Sequence, residues 1–204
     1  MSHAATDANL QRKQLRARLR QLRRDLPPAT RIAAAQSLAT QLLALPFAPD
    51  SGHVAGYWAM DGEIALHAWQ LALPEAVTYC MPVLHEAGEL RFAPWRPGQP
   101  LTANKYGIPE PDVAAADLLL PAQMRLVVTP LVGFDTHCHR LGMGAAWYDR
   151  SFAFRQESPA PPWLVGAAFA QQEAESLATE PWDVTLDAVC TDLSTHLAKG
   201  AAPA

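Results

Sequence analysis

Cysteine is scarce in this chain of 204 residues, and the three present, Cys80, Cys138 and Cys190, lie far apart. Such spacing offers neither a disulfide framework nor the paired ligands of a zinc knuckle, and it fits a reducing, cytoplasmic setting. Long apolar runs are missing too. No stretch approaches the roughly 18 residues of a membrane span, and residues 1–9 are polar, so neither a span nor a signal peptide is expected. Nor is there a surplus of positive charge. Lys and Arg number 16 against 20 Asp and Glu, a net charge of −4, which removes the general electrostatic case for nucleic-acid binding. No repeat and no linker interrupts the chain, so a single domain over residues 1–204 is expected. Two phosphate-binding signatures are absent as well: no Gly-rich loop ends in Gly-Lys-Ser/Thr, and no glycine spacing matches the dinucleotide fingerprint.

What is present is uneven. Half of the residues are apolar and 18% are charged, an ordinary globular balance. Half of the Lys and Arg crowd near the N-terminus as Arg12, Lys13, Arg16, Arg18, Arg20, Arg23, Arg24 and Arg31. Leu15, Leu19, Leu22 and Leu26 recur at helical spacing beside them, predicting a basic helix over about residues 10–26 that stops at Pro27-Pro28. A second helix is expected from Ala29 to Leu45, with Ile32, Leu38, Leu42 and Leu45 inward. Strand and helix patterns then alternate. His53–Met60, Val77–Leu84, Leu126–Phe134, Trp163–Ala170 and Asp183–Thr191 read as strands, and Ile64–Leu73 and Gly144–Phe154 as helices. His85–Glu89 reads as a reversal into Leu90–Trp95, residues 97–121 as loop, and residues 199–204 as a flexible tail. This order implies an α/β fold, a three-layer sandwich whose mostly parallel sheet is covered by helices on both faces.

The segment with the most chemistry follows the apolar run that ends at Gly133. Arg140-Leu141-Gly142-Met143-Gly144-Ala145-Ala146 leads into Trp147-Tyr148-Asp149. A strand, a small-residue loop and a helix together present backbone N–H groups to a phosphate. Arg140 can pair with phosphate oxygens, and Asp149 can hold a divalent cation. A nucleoside triphosphate site is the reading. His137-Cys138-His139 lacks a companion pair at zinc spacing and is read as loop.

With these motifs the chain resembles the 5-formyltetrahydrofolate cyclo-ligase family over about residues 12–192. That resemblance implies a monomeric enzyme acting on two small molecules, a reduced folate and ATP, with Mg²⁺ as cofactor and no nucleic-acid or membrane partner. Arg140, Gly142 and Gly144 match the family's Arg-Leu-Gly-x-Gly, and residues Arg140 through Tyr148 are expected to bind ATP. Met143 to Trp147 would also touch the folate. Asp149 stands at the Asp of the family's Tyr-Tyr-Asp, and Asp187, in Asp183-Val184-Thr185-Leu186-Asp187, at the last Asp of its Asp-x-x-Leu-Asp. The two would be Mg²⁺ ligands. Arg12, Lys13 and Arg16 match a Lys-x-x-Leu-Arg segment that meets phosphate, with a solvated basic face as the competing reading. Glu63 corresponds to a carboxylate that would accept from the amino and N–H edge of a pterin. Trp58 and Met60 would line that pocket or pack the strand. Tyr106, in Tyr106-Gly107-Ile108-Pro109-Glu110-Pro111, would stack on the folate.

The chain departs from the family where Ala145 and Ala146 replace a Gly or Lys and then a Gly. Ala is harmless if both positions lie in the first helical turn, which is the expectation, but costly if φ must be positive. The second alternative leaves room for a folate- or nucleotide-binding paralogue with weak or no catalysis.

Overall fold

The computed structural model describes residues 3–201, with side chains from Asn9 onward. Two N-terminal helices, α1 (His3–Arg24) and α2 (Pro28–Leu43), meet at the proline pair. Pro28 opens α2, where a residue without an N–H loses no helical bond. The leucine stripe of α1 is inward only in part. Leu19 is buried, but Leu22 is 40% exposed, and Arg23 beside it is 0% exposed. In α2 the buried face is Ala34, Ala35, Leu38, Ala39 and Leu42, whereas Ile32 faces solvent.

Beyond them come β1 (Gly52–Ala55), α3 (His67–Ala72), β2 (Val77–Leu84) and β3 (Leu90–Pro94). A small hairpin, β4 (Leu101–Ala103) with β5 (Pro109–Pro111), follows inside the stretch read as loop. Then come β6 (Leu126–Pro130), β7 (Gly133–Phe134), β8 (Arg140–Leu141), α4 (Trp147–Ser151), β9 (Trp163–Ala167), β10 (Ala188–Cys190) and β11 (Thr195–Leu197). The main sheet has the order β11-β10-β9-β6-β1-β2-β3. Its inner strands are parallel, and β3 and β11 close the two edges antiparallel. Alternate side chains feed two cores. Val54, Tyr79, Leu126, Val128 and Val165 pack against α2 and α3. Ala55, Val127, Leu164 and Val189 meet Phe134, Phe152 and Leu186 on the other face. There the cover is the short α4 with 3₁₀ turns and loops.

Several elements are shorter than the apolar runs suggested. The first strand stops at Ala55 rather than Met60, and the next helix starts at His67 rather than Ile64. Pro130 ends β6 because it has no N–H to continue the ladder, so Leu131 and Val132 leave the sheet. Residues 183–187 precede β10 as loop. Ala201 is 7% exposed and belongs to the α2-side core, so the tail is anchored to that point; residues 202–204 lie outside the described span.

Arg23 explains how α1 is held. Its Nε donates to the Asp61 carbonyl at 2.9 Å, Nη1 to the Leu131 carbonyl at 3.1 Å, and Nη2 to Asp61 Oδ2 at 2.9 Å. Glu63 Oε1 lies 3.5 Å away. Arg20 and Arg24 also pair with Asp61. Burial works against the charge on Asp61, but the hydrogen bonds from Arg20, Arg24 and Arg23 outweigh it and hold the carboxyl well below its ordinary range. A depressed value means stability that is present above about pH 4 and lost only as strong acid protonates the folded state. Removing Arg23 strands buried acceptors, so Arg23→Met should destabilise by about 3–5 kcal/mol in urea unfolding. Arg24→Met, at an exposed partner of the same carboxylate, should cost under about 1 kcal/mol. Equal losses would contradict this account.

Candidate active site

Strands β1 and β6 lie side by side, but the chain leaves them for opposite faces: after β1 toward α3, after β6 toward β7, β8 and α4. The crevice outside the carboxyl ends of such a strand pair is where open α/β sheets bind ligands. Four segments border it here.

The turn after β1 supplies the first. Asp61 and Gly62 have φ of 51° and 77°, and this left-handed pair swings Glu63 back so that its Oε2 accepts the Met60 N–H at 2.9 Å. Burial raises the proton affinity of Glu63, against the opposing pull of the Met60 N–H and Arg23. Trp58 and Met60 are partly exposed at 39% and 37%, and Trp58 meets Trp95 edge-on at 6.1 Å. They lie on the rim rather than in the strand core.

The second is the glycine loop. Arg16 Nε donates to the Gly142 carbonyl at 2.8 Å, and its guanidinium borders Gly144, whose φ is 97°. The basic helix and the loop therefore meet, as expected for residues sharing one anion. Burial, with Arg12 and Arg20 alongside, lowers the proton affinity of Arg16, which marks a cation short of counter-charge. Arg12 lies 3.6 Å from Glu180 and 3.7 Å from Asp183. Lys13 is exposed. Met143 and Ala145 project outward, while Leu141 is core.

The third border is the tip of the β4–β5 hairpin. Lys105 Nζ sits 5.4 Å from the Tyr106 ring and 5.2 Å from that of Trp147, and Arg150 lies 5.0 Å from Trp147 on its own helix. Tyr106, 55% exposed, is thus brought to the glycine loop from a distant part of the chain. The fourth is residues 180–184, tied to the loop through Asp149.

Three expectations need correction. Asp187 is not free at the loop. It immediately precedes β10, at the amino ends of the parallel strands, chelated by Arg155 at 3.0 and 3.2 Å and bonded by the Leu164 N–H at 2.7 Å. Asp149 itself accepts from Arg140 and, at 3.2 Å, from the Val184 N–H. Among the described residues no group of three or more metal-binding side chains forms. With the Asp187 carboxylate taken up by Arg155 and the Leu164 N–H, Asp149 is the one expected ligand at the loop. Arg140 is also committed, to Asp149 and the Val184 carbonyl, so in this state it braces the loop from within. Ala146 does not lie in a helical turn: it precedes α4 with φ 52° and ψ 26°. Since α4 is only five residues long, anion binding rests on loop N–H groups and Arg16 rather than on a helix dipole.

Sequence reading passed over Arg23, Asp61, Tyr57, Tyr79 and Lys105. Only Asp61-Gly62 carried a signal, a turn dipeptide directly before Glu63. Asp135, 1% exposed, organises the β7–β8 turn by accepting the His137 and His139 N–H groups at 3.0 and 3.1 Å and pairing with the His139 ring at 2.9 Å. This accounts for the His-Cys-His segment. An L residue in the left-handed region costs about 1–2 kcal/mol. Ala146→Gly should therefore raise stability by about 1 kcal/mol in thermal unfolding. Destabilisation, as for glycine inside a right-handed helix, would contradict the geometry.

Residues 8–192 match the sequence profile of the 5-formyltetrahydrofolate cyclo-ligase family. A protein of Haemophilus influenzae named 5-formyltetrahydrofolate cyclo-ligase is 34% identical over 178 residues, 86% of this chain and 94% of that one. Its namesake in Escherichia coli K12 is 36% identical over 177 residues, 85% and 96% of the two chains. The solved structure of Aquifex aeolicus 5,10-methenyltetrahydrofolate synthetase aligns with a TM-score of 0.76 over 91% of this chain and 92% of that one, at 24% identity. The synthetase of Mycoplasma pneumoniae gives 0.67 over 89% and 98%, at 22% identity. At such identity these two structures speak to the fold alone. With the family profile spanning nearly all of the sequence, and relatives aligned along most of their length, the chain belongs to the 5-formyltetrahydrofolate cyclo-ligase family.

Proposed function

We propose that the protein converts 5-formyltetrahydrofolate to 5,10-methenyltetrahydrofolate at the expense of ATP, as a monomer in the cytoplasm. One observation supports the reading: Glu63 stands in the turn after β1, next to β6, whose exit leads to the Arg16-backed loop and the Lys105–Trp147 contact. Three free, buried thiols suit a reducing compartment.

The chemistry assigns each border a task. The N5-formyl group is amide-like, and its oxygen is a poor leaving group as hydroxide. Attack of that oxygen on the γ-phosphorus breaks the bond to the β–γ bridging oxygen and releases ADP. N10 of the same molecule then attacks the activated carbon, the C–O bond breaks, inorganic phosphate departs, and the N10 proton passes to solvent. Ring closure within one molecule draws on positioning, worth up to about 7–11 kcal/mol in well-oriented systems. The loop N–H groups around Gly144, with Arg16, hold the phosphates. Arg12 and Lys13 add charge at the entrance, and Arg140 joins them on releasing Asp149. Glu63 accepts from the N–H edge of the pteridine, Tyr106 and Trp147 sandwich the rest of the folate, and Trp58 and Met60 exclude water at the rim.

Mixing protein, Mg-ATP and 5-formyltetrahydrofolate should give methenyltetrahydrofolate absorbance with one ADP per product. Folate binding without any product at high protein concentration would favour the non-catalytic paralogue, to which the strain at Ala146 lends its support. Glu63 yields a second test. A carboxyl with raised proton affinity stabilises the fold below its ordinary range, about pH 4.3, and that contribution is lost as pH rises through the folded value. Glu63→Gln should therefore melt no lower than the parent at pH 7, while folate affinity falls by about tenfold or more. A lower melting point with unchanged folate affinity would remove Glu63 from the pocket.

A further inference from the structure

Among the described residues the phenol hydroxyls of Tyr79 and Tyr148, like that of the exposed Tyr106, have no hydrogen-bond partner in the protein. Tyr79 projects from β2, 9% exposed, with its ring edge-on to Trp69 at 5.9 Å. Its hydroxyl lies 2.2 Å from where a Cβ on Gly56 would stand. The bare backbone just past β1 is therefore what gives that hydroxyl its place. Tyr148 comes from α4 on the opposite face, stacked with Phe152 at 6.4 Å. Tyr57 behaves differently, because its hydroxyl donates to the Ile64 carbonyl at 2.8 Å. Among the described residues no fully buried side-chain oxygen or nitrogen is without a partner. Among the described residues the hydroxyls of Tyr79 and Tyr148 make no such bond, so both keep some contact with solvent, that of Tyr79 beside Gly56 at the carboxyl end of β1. Tyr57, Tyr79, Tyr148 and Glu63 are close enough for the charge of one to be felt at another. Burial raises the proton affinity of Tyr79 and of Tyr148, so both stay protonated and able to donate.

The two sides of the pocket thus differ in kind. Glu63 is an acceptor only, suited to the amino and N–H groups of a pterin. The phenols are its donors, and a reduced, formylated pterin has acceptor oxygens at C4 and on the N5-formyl group. We propose that Tyr79, seated over Gly56, is a folate-binding residue that donates a hydrogen bond to an acceptor oxygen of the pteridine, with Tyr148 donating from the opposite face. This rests on the folate reading of the cleft. It adds a donor that the loop and turn motifs do not contain, on a stretch that the sequence marks only as a strand.

Calorimetry with 5-formyltetrahydrofolate and, separately, ATP tests it. Tyr79→Phe removes one oxygen that bonds nothing among the described residues, so the melting temperature should hold within about a degree. Folate affinity should fall by about tenfold, the worth of one neutral hydrogen bond, with ATP affinity unchanged. Gly56→Ala keeps the phenol but drives its hydroxyl away, and should show the same split between the two ligands. Parental folate affinity in Tyr79→Phe, or an equal fall for both ligands with a lower melting temperature, would overturn the assignment. Should the parent protein bind no 5-formyltetrahydrofolate at all, the cyclo-ligase reading fails first and this inference with it.

Discussion

The buried guanidinium of Arg23 is the constraint on which the site depends. A fully enclosed cation is tolerable only when acceptors surround it, and two places supply them: the turn after β1, through the carbonyl and carboxylate of Asp61, and the exit of β6 at the Leu131 carbonyl. Those are the two strand ends that define the crevice. By joining them to α1, Arg23 also fixes where the next turns of that helix run, and Arg16, two turns earlier, reaches the Gly142 carbonyl as a result. One ion cluster thus links the turn that aims Glu63 to the helix that backs the glycine loop. Gln172, bonded to the Leu131 and Val132 carbonyls at 3.3 and 2.8 Å, shares in holding the β6 exit.

The groups left short of partners are those that a ligand would complete. Glu63 is held in a buried site with an insufficient set of donors, Arg16 is crowded by like charge, and Ala146 occupies backbone space better suited to glycine. Elsewhere polar atoms are well matched: Glu110 accepts from the Leu84 N–H at 2.9 Å and Asn104 at 2.7 Å, and Ser151 joins α4 to β3 at Leu90.

Much of the frame was legible in the chain, since it follows from local pattern. The apolar run Val77–Leu84 and the first part of Leu126–Phe134 became strands, the Pro27-Pro28 break separated two helices, and Gly142 and Gly144 marked the loop. Pairing between distant side chains left no such trace. Asp187 carries the right residue in the right motif, yet Arg155 and the Leu164 N–H claim both of its oxygens. Nothing in the arginine stripe separates Arg23, wholly buried, from Arg24 next to it, because helical phase shifts one residue from core to solvent. The left-handed conformation of Ala146 escaped for the opposite reason: alanine is a strong helix former, and its intrinsic preference pointed the wrong way.

The central claim is that a triphosphate lies on residues 142–147 with Arg16 behind it. Amide hydrogen exchange with and without ATP addresses this directly. Binding should slow exchange by at least about tenfold at Gly142 to Trp147 and along α1 around Arg16, because amides that grip phosphate and the helix they draw in both open less often. Protection confined to other segments, with these amides exchanging as freely as before, would contradict the account.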